Sequence, residues 1–532
     1  MTDAPLLDVR DLTVRAGGTT IIGGAALTLS PGETLAVIGE SGSGKSTLAL
    51  AITGLLPRGL CCDAGSVVRF DGAALPLADA EAMRTLRGRR IGMIFQDPMN
   101  SLNPFLRVAS QLGEALGRIG MQRDAWQDRI AAMLAEVELD ATLATRYPHE
   151  LSGGQQQRVM IAMALAGGPD LLIADEPTSA LDTTTTAEIV ALLTRLKRER
   201  RMATLFISHD LSLAADADTV AVMRHGAIVE RGNADAVLAA PRNAYTRRLV
   251  EARQMLDVPR PKTSAPDGTV LAAARDVAVD YPARRLFGRP VRVVHGVTAT
   301  LEAGRTLGIL GRSGSGKSTF AQTLAAMQRP SGGAIALLSA TLAPGSAPLP
   351  RGERRKVQFV FQNPQGALNP RLTISRTLAE PLRLAGRQEG LDAAIAQALE
   401  EVGLPAAMAA RYPHQLSGGQ RQRVCIARAL LCAPKILICD EVVSALDMTV
   451  QAEILTLLAR LQGQRGFAMA FIGHDIDVVR WISDEIIVME DGVVVDRCTP
   501  DALDAPSRHP TTRGLLTRRP PAKPLAPLAE AV

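Results

Sequence analysis

The sequence predicts two α/β domains in tandem, each built on a mostly parallel central sheet. Three observations carry this reading. A chain of 532 residues exceeds what one hydrophobic core supports and fits two domains of roughly 250 residues each. One ordered set of motifs occurs twice along it, the mark of an internal repeat. In each copy a short apolar run ends in glycine and leads into a glycine-rich loop and a helix, which suits a buried parallel strand.

The elements follow in the same order in both copies. In the first, TLAVIG (Thr34 to Gly39) enters GESGSGKST (Gly39 to Thr47), followed by IFQDP (Ile94 to Pro98), LSGGQQQR (Leu151 to Arg158), LLIADEP (Leu171 to Pro177) and FISHD (Phe206 to Asp210). In the second, TLGILG (Thr306 to Gly311) enters GRSGSGKST (Gly311 to Thr319), followed by VFQNP (Val360 to Pro364), LSGGQRQR (Leu416 to Arg423), ILICDEV (Ile436 to Val442) and FIGHD (Phe471 to Asp475). LLIAD and ILICD read as second buried strands, and ATLFIS and AMAFIG as third ones. Helices are expected over Gln155 to Ala166, Gln420 to Leu431 and AEIVALLTRLKRER (Ala187 to Arg200), which has helical periodicity and a charged tail. Ser152 to Asp175 and Ser417 to Asp440 both span 23 positions, and Glu176 to His209 and Glu441 to His474 both span 33. Lys45 to Gln96 spans 51 and Lys317 to Gln362 only 45, a difference expected in a Gly- and Ala-rich surface segment where insertions cost little. VPRPKTSAPDGT (Val258 to Thr269) reads as a short, stiff linker between domains at 1–257 and 270–532.

Composition narrows the class. With 47% hydrophobic and 21% charged residues and a mean hydropathy of +0.10, the chain has an ordinary globular balance. It has no uncharged apolar run of 18 residues, and MTDAPLLDVRDLTV lacks the basic start and apolar core of a signal peptide. A cytoplasmic location is expected. The 59 basic and 54 acidic residues are nearly balanced and spread along the chain, so no nucleic-acid partner is expected. None of the six cysteines forms a C-x-x-C pair. Cys425, Cys432 and Cys439 recur every seven residues, but Pro434 separates a helical stretch from the strand ILICD, so they read as small buried hydrophobes rather than metal ligands.

The motifs carry phosphate chemistry. In G-x-x-x-x-G-K-[ST], glycines let backbone N–H groups curl around phosphate oxygens, and the following helix N-terminus favours negative charge. The nucleotide-binding candidates are Gly39, Ser41, Gly42, Gly44, Lys45, Ser46 and Thr47, and likewise Gly311, Ser313, Gly314, Gly316, Lys317, Ser318 and Thr319. Lys45 and Lys317 are expected to reach the β- and γ-phosphates, and Ser46 and Ser318 to offer a hydroxyl to Mg²⁺. An apolar strand ending in Asp-Glu supplies two carboxylates with different jobs: Asp175 and Asp440 for Mg²⁺, Glu176 and Glu441 as general bases on the attacking water. His209 and His474, in matched register at strand ends, are expected to hold the γ-phosphate and that water. Serine followed by two glycines at a helix start offers a second phosphate-binding surface, giving Ser152, Gly153, Gly154 and Gln155, and Ser417, Gly418, Gly419 and Gln420.

These motifs resemble the ATP-binding-cassette (ABC) ATPases, and the resemblance covers nearly the whole chain. It implies two P-loop nucleotide-binding domains, each with a mostly parallel core sheet, an antiparallel β subdomain and a helical signature subdomain. In that family two cassettes pack head to tail, which implies one ATP site from Lys45 with Ser417 and another from Lys317 with Ser152. Gln96 and Gln362 match the family's Q-loop, which touches the metal and water and links the site to the membrane subunit. Ser179 to Asp182 and Ser444 to Asp447 match its D-loop. Tyr281 matches the adenine-stacking aromatic, where the first copy has Ala16; stacking on a base is worth about 1–3 kcal/mol, so weaker binding is expected at the Lys45 site.

SLNP (Ser101 to Pro104), ALNP (Ala367 to Pro370), RYPHE, RYPHQ and the tails PRNAYTRRLV and RHPTTRGLL look like the dipeptide, oligopeptide and nickel importer ATPases of bacteria in fused form. That likeness implies two transmembrane permease subunits, an extracytoplasmic binding protein and a peripheral place on the cytoplasmic face of the inner membrane, with membrane contact only through the permeases. There are three departures. Thr511 stands where the family often has Tyr, EVVSALD replaces EPTSALD, and the cysteine-rich tail that carries an iron–sulfur cluster in some members is missing after Tyr245, so no cluster is expected. The alternative, a soluble tandem-cassette translation factor, resembles proteins with a long charged helical linker, and this linker is short.

Overall fold

The computed structural model describes residues 4–97, 101–178, 181, 183–208, 210–258, 260, 268–282, 290–444 and 446–517. They fall into two compact units that divide between residues 254 and 255. His209, and Ser179, Ala180 and Asp182 of the first D-loop, lie outside the described residues, as does Ala445 of the second.

In the first unit a mostly parallel sheet runs in the order Ala227–Asn233, Thr219–Arg224, Thr34–Ile38, Ala203–Ser208, Leu171–Asp175, Ile91–Ile94, with only the outermost pair antiparallel. Its inner parallel strands read as near-continuous apolar runs because both faces are covered. Leu171 and Ile173 enter a core with Leu48 and Ile52 of the helix Lys45–Ile52, while Leu172 and Ala174 enter a second core with Leu112, Leu134 and Ile161. Those last three belong to the helices Val108–Arg118, Trp126–Glu136 and Gly153–Leu165, which form the helical layer. The antiparallel sheet runs Thr19–Leu29, Leu7–Ala16, Val67–Phe70, Ala73–Ala74. Pairs such as Leu7↔Leu29 and Val9↔Leu27 turn alternate apolar residues into the first core.

The second unit repeats this plan. Its mostly parallel sheet runs Val493–Cys498, Glu485–Glu490, Thr306–Gly311, Ala468–Ile472, Ile436–Asp440, Val357–Val360, and its antiparallel sheet Val291–Glu302, Val270–Tyr281, Gly332–Leu337, Ala340–Leu342. Ile436 and Ile438 face one core, Leu437 and Cys439 the other. Cys439 and Cys425 are buried, and burial pushes the Cys425 thiol up to about 11. Cys432 is half-buried and lies beyond the end of its helix, Gly418–Leu430, rather than within it.

Two expectations are refined. The signature helices begin at Gly153 and Gly418, two residues before the predicted starts, because the serine caps rather than precedes them. The length difference between the copies is not confined to loop. Lys45 to Val68 spans 23 positions, and Lys317 to Ile335, the residue in the same sheet register, spans 18; the extra residues form a short strand, Leu60–Cys62, paired with Val14–Ala16. No helix among the described residues is long and apolar enough to cross a membrane.

Candidate nucleotide sites

Strand order gathers the chemistry at one edge of each parallel sheet. The strand entering the phosphate loop lies between Ala203–Ser208 and Thr219–Arg224, so the C-terminal ends of several strands converge beside the loop, the usual ligand position in open α/β sheets. Gly44, at φ 99°, caps the helix Lys45–Ile52, and Gly316 does the same at φ 94°. A Cβ at Gly39 would stand 2.1 Å from the Met223 carbonyl oxygen, and one at Gly311 2.3 Å from that of Met489. Only glycine lets the loop leave the sheet there.

Lys45 is 4% exposed. Its Nζ donates to the carbonyl oxygens of Gly39 (2.7 Å) and Glu40 (2.8 Å), and Lys317 Nζ donates to those of Gly311 and Arg312, both at 2.8 Å. Ser46 Oγ donates to Asp175 Oδ1 at 3.0 Å, and Ser318 Oγ to Asp440 Oδ1 at 3.1 Å. Burial pushes the Asp175 carboxyl up to about 6, with the neighbouring Glu176 charge adding to the rise and the Ser46 hydrogen bond and Lys45 opposing it. Asp440 is raised for the same reasons.

The adjacent glutamates sit in left-handed backbone, Glu176 at φ 44° and Glu441 at φ 47°. That conformation costs a non-glycine residue about 1–2 kcal/mol and is held by Glu176 N–H donating to Ile207 O (2.9 Å) and Glu441 N–H to Ile472 O (3.0 Å). Gln96 Nε2 donates to Glu176 Oε2 at 2.8 Å and Gln362 Nε2 to Glu441 Oε2 at 2.7 Å. His474 Nδ1 lies 3.4 Å from Glu441 Oε2. That hydrogen bond outweighs burial and holds the Glu441 carboxyl below its usual range. Burial opposes charge on His474, but the hydrogen bond and charge of Glu441 together raise it.

The donors suit Mg²⁺. Each site pairs a hydroxyl with a carboxylate, hard oxygen ligands that leave most of an octahedral shell to water and phosphate. Among the described residues no group of three or more His, Cys, Asp or Glu is placed to cage an ion.

The signature residues stand apart, at the head of the helical layer. Ser152 Oγ accepts the Gln155 N–H while Gln155 Oε1 accepts the Ser152 N–H, and Ser417 and Gln420 repeat the exchange. Ser152, Gly153, Ser417 and Gly418 are exposed. Tyr281 donates its hydroxyl to Gln328 Oε1 at 3.0 Å and lies 3.4 Å from the Thr319 hydroxyl, which places its ring beside the phosphate-loop helix. At the matching place Ala16 pairs with Thr19 and Leu60 instead. Sequence reasoning missed one contact at the first loop, the Tyr245 hydroxyl accepting the Glu40 N–H at 2.9 Å. The signal was present as Thr511 in place of a tyrosine in the second tail.

A family model described as ABC transporter matches residues 22–179 and 294–444. The chain is 41% identical over 528 residues to the peptidoglycan transport ATP-binding protein YejF of Agrobacterium fabrum, covering 96% of each. It is 42% identical over 541 residues to the glutathione import ATP-binding protein GsiA of Escherichia coli K12, covering 94% of this chain and 86% of that one. Each matched segment holds one phosphate loop, one signature turn and one Asp-Glu strand end, and the chain therefore belongs to the ABC transporter family, with two of its ATPase cassettes in one polypeptide.

Proposed function

We propose that this ATPase is the motor of a bacterial importer, driving uptake of a peptide or peptide-bearing solute through two permease subunits served by an extracytoplasmic binding protein. The carrying observation is near full-length similarity to two proteins whose names specify peptidoglycan transport and glutathione import. On this reading the chain works from the cytoplasmic face of the membrane.

Each P-loop binds the triphosphate with backbone N–H groups, and its lysine, resting on two carbonyls, turns to the β- and γ-phosphates. Mg²⁺, when bound, neutralises developing charge on the phosphates, with Ser46 and Asp175, or Ser318 and Asp440, as its protein ligands and Gln96 or Gln362 alongside. Glu176 and Glu441 accept the proton of the attacking water once Gln96 and Gln362 release their carboxylates, and His474 steadies Glu441. His209 is assigned the same role by register.

The test is co-expression with candidate permeases and reconstitution in vesicles. Binding protein loaded with a short peptide should stimulate ATP hydrolysis and peptide uptake together. Purification with ribosomes and with no permease would overturn the importer reading in favour of a translation factor.

A further inference from the structure

We propose that Tyr245 is a positioning residue for the first phosphate loop, a brace on the peptide that anchors Lys45, and that the second cassette is built without it. The Gly39 carbonyl and the Glu40 N–H belong to one rigid peptide plane. Lys45 Nζ donates to that carbonyl at 2.7 Å, and the N–H on the opposite edge donates to the Tyr245 hydroxyl at 2.9 Å. The plane is therefore gripped on both sides. Lys45 also donates to the Glu40 carbonyl, at 2.8 Å.

Tyr245 is itself firmly seated. It is 3% exposed, and the Arg224 guanidinium lies 4.8 Å from its ring centroid. Its N–H donates to Asn243 Oδ1 at 2.8 Å, and the N–H groups of Arg242 and Asn243 donate to the Glu230 carboxylate at 2.8 and 3.1 Å.

The second cassette keeps this tail but changes the pair that matters. His509 N–H donates to Asp496 at 3.0 Å, matching Asn243 and Glu230. At the end of the strand Glu485–Glu490, Glu490 takes the place of Arg224, and Thr511 takes that of Tyr245. The Thr511 hydroxyl donates to Glu490 Oε2 at 2.6 Å. A cation and ring have been exchanged for a carboxylate and hydroxyl that satisfy each other. Lys317 rests on its two carbonyls as Lys45 does, so the cassettes differ in what holds the peptide, not in where the lysine waits. When ATP draws the lysine away, the first loop keeps an external hold on that plane, and a preorganised loop binds at lower entropic cost.

The inference rests on both loops binding ATP, and the test separates the two ideas. A fluorescent ATP analogue with Mg²⁺ is titrated into the full chain carrying Lys317→Ala, which reports the Lys45 site, or Lys45→Ala, which reports the Lys317 site. Failure of both to bind before Tyr245 is altered would remove the nucleotide reading and the brace together. Tyr245→Phe keeps the ring under Arg224 and deletes one hydrogen bond. It should weaken binding roughly 2–10-fold in the first background and leave the second unchanged. In the otherwise unaltered chain the KM for ATP should rise while kcat holds within about twofold, because Tyr245 touches no reacting atom. Equal affinities with and without the hydroxyl in the Lys317→Ala background, equal weakening in both backgrounds, or a fall in kcat with unchanged KM would each overturn the brace.

Discussion

Arg201 and Gly466 occupy the same place, one residue past the equivalent helices Thr183–Arg200 and Met448–Arg465, with φ of 51° and 67°. Left-handed backbone there suits glycine, and an arginine side chain adds strain without changing the turn. Arg201→Gly should raise stability by roughly 0.5–1 kcal/mol, the relief of strain exceeding the added freedom of the unfolded chain; thermal unfolding of the first cassette should show a higher midpoint. At the catalytic centres, Glu176→Gln with Glu441→Gln keeps the hydrogen-bonding shape but cannot accept a proton. Turnover should fall by orders of magnitude with ATP affinity retained, and intact hydrolysis in the double variant would refute the assignment of the base. That the lysines, serines, carboxylates and glutamines come together beside each phosphate loop was legible in the sequence, because each motif is local and the proposed chemistry needs those residue types. The contact of Tyr245 was not, since it meets its partner across 205 positions of sequence and the tail pattern marks the position without naming that partner.

Among elements, the strands of the parallel sheets were readable because burial on both faces makes them continuous apolar runs. The strand Leu60–Cys62 was not, because three residues of LCC carry no period and owe their form to pairing with Val14–Ala16. The second phosphate-loop strand hides a comparable long-range dependence. Asp484 accepts the Thr306 N–H at 2.8 Å, as Asp218 accepts that of Thr34 at 2.7 Å. In the first cassette Lys197 pairs with Asp218 at 3.3 Å; the matching helix position holds Gln462, and the cation comes from Arg260, 3.6 Å from Asp484 and 3.3 Å from Gln462 Oε1. Part of the expected linker is thus fixed to the second cassette. Arg260→Gln should cost that cassette about 1–2 kcal/mol, a value reduced for partial solvent exposure. Adding Gln462→Lys should restore at least half of it in denaturant unfolding, and a further loss would show that the two helix positions are not equivalent.

For the molecule as a whole, two copies of one topology carry matching phosphate-loop, Asp-Glu and glutamine residues on sheets of identical strand order. The repeat was visible at once in the sequence, as were single changes such as Thr511; what was not visible is that some differences lie in pairs of residues that exchange together, such as Arg224 with Tyr245 and Glu490 with Thr511. One more such difference bears on chemical selectivity. Where the second copy presents Tyr281, the first presents Ala16 edged by Leu60, so a nucleotide on Lys45 would lack that stacking ring. Guanosine and cytidine triphosphates should compete with ATP at least as evenly at that site as on Lys317, where stacking strength gives a modest base preference. A cell whose ATP runs low while other triphosphates persist would then find the two halves of this machine loaded to different extents.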